Sequence, residues 1–183
     1  MDTDELPTPS MGQYRIKVQQ ETYRIVSSKT PSYTASDGST VTLSLSTLLG
    51  PTTHTQTYTT APKLLPTSAS LHFTTPIVYV TEGDCLTVAQ ELKNNGLNPV
   101  VLNMANAEHP GGGWQWGAGA QEENMFRRSN YVMHLVTVEE KNGRWGTKAK
   151  YPIPEFGGIY SPDVVVFRGE EKDKYPFLPS PFT

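Results

Sequence analysis

Two short apolar runs flank a helical stretch in the middle of this chain, and this pattern constrains its fold more than any other feature. Ile77-Val78-Tyr79-Val80 reads as a strand. Gly83-Asp84 then supplies a helix start with Asp84 as N-cap. Leu86, Ala89 and Leu92 fall on one helical face with Val88 beside them, and Asn94-Asn95-Gly96 stops the helix. Pro99 to Met104 is a second apolar strand. Strand, helix and strand in this order form a βαβ unit, which predicts a right-handed crossover between parallel strands. Burial on both faces of a parallel sheet explains an unbroken apolar run. The expected class is α/β.

The flanking segments divide the chain. Residues 1–26 hold a polar leader and then alternation: Tyr14, Ile16 and Val18 alternate with Arg15 and Lys17, which predicts a strand. Tyr23, Ile25 and Val26 predict a second. Residues 27–75 form a Ser/Thr-rich insert, since 23 of these 49 residues are Ser or Thr. Hydroxyl residues of this kind favour loops. Val41, Leu43 and Leu45 predict one strand within it, and the stretch from Gly50 to Ser70 reads as a long or partly disordered loop. Residues 76–183 carry the rest: the βαβ unit, a helix from about Ala118 to Leu135, and a loop from Gly143 to Gly158. Strands at Ile159-Tyr160 and Val164 to Phe167 follow, and then a polar, proline-rich tail from Gly169. On the helix, Met125, Ser129, Val132 and Met133 share a face.

Composition removes several functions. The 15 Lys+Arg against 18 Asp+Glu give a net charge of -3, so no basic coat for direct nucleic-acid binding is written into the chain. The single cysteine, Cys85, excludes an internal disulfide and a cysteine-rich zinc site. His54, His72, His109 and His134 lack ligand spacing and read as structural or exposed. The acidic, proline-broken start is not a signal peptide, and no window approaches the roughly 18 apolar residues of a membrane span. No membrane partner is expected. The expected location is intracellular, cytoplasmic or nuclear.

The stretch Asn103 to Ser129, NMANAEHPGGGWQWGAGAQEENMFRRS, carries the chemistry. Ligands of open α/β sheets bind beyond the carboxyl ends of strands, and Asn106 lies just past one. Gly111, Gly112 and Gly113 let backbone approach a ligand closely. Their successive N–H groups, with a helix N-terminus behind them, are able to hold a phosphate. No Walker A lysine follows, which argues against a nucleotide triphosphatase. Gln121-Glu122-Glu123 opens the next helix. Its acids either complement the macrodipole or perform general acid–base work. Neighbours on a helix diverge by about 100°, so the two glutamates do not flank one bond symmetrically. Trp114 and Trp116 either anchor the loop or shield a ligand. Of Arg127 and Arg128, one reads as solvated and one as an ion-pair partner. Phe126 and Phe156 read as core, and Cys85 as a small buried filler.

In combination, Asn-Ala, Pro-Gly-Gly-Gly, the spacer Trp114 to Ala120 and Gln121-Glu122-Glu123 resemble the signature of the microbial-type poly(ADP-ribose) glycohydrolases. The tail FRRS and the later IYSPDVVVFR resemble that family too, over roughly Gln13 to Arg168. The resemblance implies a macrodomain-like fold, a mixed sheet flanked by helices. It implies hydrolysis of ribose–ribose O-glycosidic bonds, with ADP-ribose or poly(ADP-ribose) on modified proteins as ligand and no cofactor. It makes Glu123 the catalytic acid, with Glu122 on ribose hydroxyls and Asn106 on the distal ribose. Gly111, Gly112 and Gly113 would line the ribose and diphosphate, and Gln121 would fix the loop–helix junction. The family's second glycine-rich loop, of the type Gly-Cys-Gly-x-Phe, has no counterpart after Arg168. The expectation is therefore the N-terminal part of such a catalytic domain, incomplete at its C-terminus. The alternatives are an ADP-ribose-binding module or an inactive truncated relative.

Overall fold

A computed structural model of the chain describes residues 10–61, 77–139 and 144–183. The fold class is α/β: helices and short strands are interleaved along the chain. The first helix, α1 (Met11–Val26), replaces the two strands expected there. Ser10 and Gln13 close a capping box, with Gln13 N donating to Ser10 Oγ (3.3 Å) and Ser10 N donating to Gln13 Oε1 (2.9 Å). Val18, Thr22, Ile25 and Val26 are buried. Their spacing is helical, and the alternation at Tyr14 to Val18 is incidental to it. The leader 1–9 lies outside the described residues.

The Ser/Thr-rich segment is more structured than its composition suggests. Strands β1 (Ser32–Thr34) and β2 (Thr40–Thr42) pair antiparallel. The strand expected to run to Leu45 ends sooner, because Leu45 opens the short helix α2 (Leu45–Leu49). The expected loop from Gly50 contains a 3-10 turn (Pro51–His54) and strand β3 (Gln56–Tyr58). Residues 62–76 of that segment lie outside the described residues.

Helix α3 (Cys85–Asn94) forms as expected. The Asp84 carboxylate accepts from the N–H groups of Leu86 and Thr87, both at 3.0 Å, and Gly96 follows the helix with φ +81°. Leu92, expected on the buried face, is exposed. The flanking runs differ more. Ile77 to Val80 and Val100 to Met104 are in no strand, so no βαβ ladder forms among the described residues. Extended chain becomes a strand only when a neighbour completes its hydrogen bonds. Val80 is 96% exposed and Leu102 80%, whereas Val101 packs against Leu86, Met125 and Val166.

The expected long helix from Ala118 to Leu135 is two helices, α4 (Gln121–Arg128) and α5 (Tyr131–Leu135). Ser129 between them is extended and bridges to Val166. The break sends the expected face two ways: Met125 joins Leu86 and Val166, while Val132 enters the main core. Strands β4 (Val136–Glu139) and β5 (Arg144–Thr147) pair antiparallel, so part of the expected Gly143–Gly158 loop is strand. Strand β6 (Gly158–Tyr160) pairs with β3, and β7 (Val166–Arg168) with β8 (Phe177–Phe182). The latter strand lies in the expected polar tail. Its two prolines fit because β8 is an edge strand, with β7 as its one strand partner among the described residues. Among the described residues all four strand pairs are antiparallel.

The main core unites Ile25, Val26, Tyr33, Leu48, Trp114, Phe126, Val132, Leu135, Val165 and Phe167. Asn130, fully buried at the helix break, ties three elements together. Its Nδ2 donates to Leu48 O (2.8 Å), its Oδ1 accepts from Val165 N (2.8 Å), and its own N–H donates to Val165 O (3.1 Å). Truncation strands a buried carbonyl and a buried N–H, at about 1–3 kcal/mol for each unsatisfied group. We expect Asn130→Ala to lower unfolding free energy by about 2 kcal/mol or more in urea titrations.

Candidate functional site

The glycine loop and the start of α4 meet in a small network centred on two buried carboxylates. Glu122 is 3% exposed and Glu123 7%. Glu122 Oε1 accepts from Gly111 N (2.9 Å) and from Asn103 Nδ2 (3.4 Å); its Oε2 accepts from Asn106 N (2.7 Å). One carboxylate thus holds the loop at both ends of the segment Asn106 to Gly111. Burial pushes the Glu122 carboxyl above its ordinary value, the N–H groups of Asn106 and Gly111 pull against that, and Glu123 adds repulsion.

Glu123 is held differently. Its Oε1 accepts from Gly113 N (2.9 Å), while its Oε2 is buried with no hydrogen-bond partner among the described residues. The two adjacent acids therefore have separate jobs, as their angular divergence on a helix requires. Glu122 is held by three loop donors, and Glu123 keeps one oxygen uncommitted.

The loop geometry explains the glycines. Gly111 (φ +76°) and Gly112 (φ +51°) are left-handed. A Cβ on Gly111 would stand 2.6 Å from both Phe126 Cε1 and Trp114 Cδ1; one on Gly112 would stand 2.7 Å from Glu123 Oε1. The expected phosphate cradle of free N–H groups is not what these glycines form. Gly111 N and Gly113 N donate to the two carboxylates, and Gly112 N donates to His109 O (3.2 Å). The inward commitment follows from placing two acids directly beneath the loop.

The remaining candidates gather around the same point. Gln121 bridges the exposed segment before the loop: its Nε2 donates to Leu102 O (2.9 Å) and its Oε1 accepts from Met104 N (2.8 Å). Asn106 Oδ1 accepts from the N–H groups of Glu108 and His109, both at 2.9 Å, forming the turn that leads into the glycines. Trp114 is buried against Phe126, with ring centroids 5.4 Å apart, whereas Trp116 is 81% exposed. Phe156, expected in the core, is exposed. Cys85 is half-buried, with its Sγ 3.5 Å from Gln121 Nε2.

Neither arginine after the glutamates is solvated. Arg128 pairs with Asp84 at 2.7 Å, and Arg127 is wholly buried, with Nε donating to Tyr175 OH (2.9 Å) and Nη1 to Ala118 O (2.8 Å). Sequence reasoning missed Arg127 because its partners lie in the spacer and in the supposed tail. A cavity of about 740 Å³ opens on the other side of Asn103, lined by Leu86, Val101, Met125, Tyr131 and Val166 among others. It contains neither glutamate. Among the described residues no helix is long and apolar enough to cross a membrane.

A loop folded onto paired acids at a helix start is thus set within a macrodomain-like α/β frame. The family model of the microbial-type poly(ADP-ribose) glycohydrolase catalytic domain matches residues 19–169, and the chain belongs to that family. Its fold is similar to the solved structure of poly(ADP-ribose) glycohydrolase from Thermomonospora curvata, with TM-score 0.66 and 27% identity over 92% of this chain and 60% of that one. The same enzyme bound to the inhibitor ADP-HPD gives TM-score 0.62 and 26% identity, over 92% and 59%. The chain thus spans about three fifths of the length of these solved proteins. Among curated proteins, none matches it.

The raised pKa of Glu122 gives a pH test. A carboxyl whose folded value lies above its unfolded value stabilises the native state fully below the unfolded value of 4.5, and loses that contribution as pH rises through the folded value. We expect the stability difference between Glu122→Gln and the unmodified chain to shift in favour of the variant between pH 4.5 and neutrality. Denaturant titrations across that range check the slope; a pH-independent difference contradicts it.

Proposed function

We propose that this chain is a poly(ADP-ribose) glycohydrolase domain that cleaves ribose–ribose O-glycosidic bonds and releases ADP-ribose, with Glu123 as general acid and base. The observation that carries this reading is the pair of unequal carboxylates: Glu122 bound by three loop donors, and Glu123 with Oε2 buried and uncommitted. In a shielded site, a positioned carboxyl delivers its proton to the departing ribose oxygen as oxocarbenium character develops, and then takes a proton from the attacking water. Gly113 N fixes Oε1, so that Oε2 alone carries the proton.

Glu122 retains capacity for a ribose hydroxyl. A carboxylate offers about four acceptor positions, and three of them are occupied by the loop. Asn106 holds the distal ribose from its exposed turn, Gly111, Gly112 and Gly113 supply close approach rather than free N–H groups, and Gln121 locks the junction. The ligand is ADP-ribose or its polymer on modified proteins.

We expect Glu123→Gln to reduce release of ADP-ribose from the polymer by at least about 10²-fold, the scale of a lost general acid, with calorimetric affinity for ADP-ribose little changed. Retained turnover in the variant overturns the role of Glu123. Binding of ADP-ribose without any turnover by the unmodified chain replaces the enzyme with a binding module.

A further inference from the structure

The carboxylate Oε1 of Glu123 is the end of a hydrogen-bond chain that starts on α1. Arg15, on α1, donates from Nε to Glu171 Oε1 at 2.7 Å, and from Nη1 to Gly117 O at 3.4 Å. Glu171 Oε2 accepts from Tyr175 OH (2.9 Å), and Tyr175 OH accepts from Arg127 Nε (2.9 Å). Arg127 Nη1 donates to Ala118 O (2.8 Å). Ala118 N then donates to Gly113 O (3.2 Å), and Gly113 N donates to Glu123 Oε1 (2.9 Å). The spacer between the glycines and the glutamates is thus gripped from one side by α1 and from beneath by α4.

The packing leaves this grip little slack. A Cβ on Gly113 would lie 2.8 Å from the Cβ of Ala118, and those on Gly117 and Gly119 would run into the Gly12 backbone and the Arg15 guanidinium. Arg127 is wholly buried, with Nη2 unpartnered among the described residues. A buried guanidinium needs a counter-charge, and Glu171, reached through Tyr175, is the acid this network offers it. Burial raises the Glu171 carboxyl, but hydrogen bonds from Arg15 and Tyr175 and the charges of Arg15 and Arg127 outweigh it and hold the group below its ordinary value. One carboxylate therefore serves two arginines.

We infer that Arg15, Glu171 and Arg127 form a brace whose task is to position the spacer, and through Gly113 the carboxyl of Glu123. The inference rests on Glu123 being the acid. All three act through the spacer and are positioning residues. Arg15 precedes the span matched by the family model, so the brace couples α1's first turns to the signature loop.

Hydrogen exchange at single amides tests this without relying on turnover. In Arg15→Ala and in Glu171→Gln, exchange of the Gly113 N–H is expected to quicken by about tenfold or more, while Val165 N–H, held by Asn130 elsewhere in the core, stays within about twofold. Arg15→Lys, which keeps the ion pair, is expected to restore most of the protection at Gly113. Unchanged exchange at Gly113, or equal acceleration at Gly113 and Val165, overturns the brace. On poly(ADP-ribose), the same variants are expected to lose kcat with little change in KM. A loss in KM alone also overturns it. Absence of turnover by the unmodified chain counts against the enzymatic reading only, and the exchange ratio then decides the brace.

Discussion

The site depends on one buried carboxylate that accepts three loop donors. Glu122 joins Asn103, Asn106 and Gly111, so the chain between the exposed segment and the glycines has only one way to lie. A carboxylate taken out of water is costly unless its lone pairs are satisfied. The left-handed glycines let the loop meet that demand, by bringing backbone N–H groups where side chains would otherwise stand. Once Glu122 is fixed, its neighbour points elsewhere, and Gly113 takes only one of that neighbour's oxygens. Division of labour between adjacent acids is therefore a consequence of loop anchoring.

The motif region was legible in sequence because its logic is local. A triple glycine, a short spacer and Gln-Glu-Glu occupy one continuous stretch, and every candidate within it, Asn106 included, meets in the folded chain. The glycines' role was half legible. Their need for unusual backbone angles follows from composition, but the direction of their N–H groups depends on acids beyond the spacer. Helix α3 was legible for the same local reason, through Asp84 and Gly96.

What sequence reasoning missed depends on partners distant in the chain. A few alternating residues in α1 imitate a strand, while Ser10 and Gln13 signal the opposite. The proline-bearing β8 reads as tail until β7 pairs with it. Of the two arginines, Arg128 is the expected ion-pair partner, through Asp84, but Arg127 is not the solvated one: Tyr175 folds against it. The apolar runs at Ile77–Val80 and Val100–Met104 carry strand composition, yet pairing is a property of two segments and not of one.

Under the proposed function, the Glu122-anchored loop and Glu123 form the ADP-ribose contact surface. The most direct measurement is an amide chemical-shift titration of the intact chain with ADP-ribose. Saturable shifts are expected at Asn106, Gly112, Gly113 and Gln121, with α3 and the β4–β5 pair unmoved. Shifts confined to other surfaces, or none in those four amides at millimolar ADP-ribose, would contradict it.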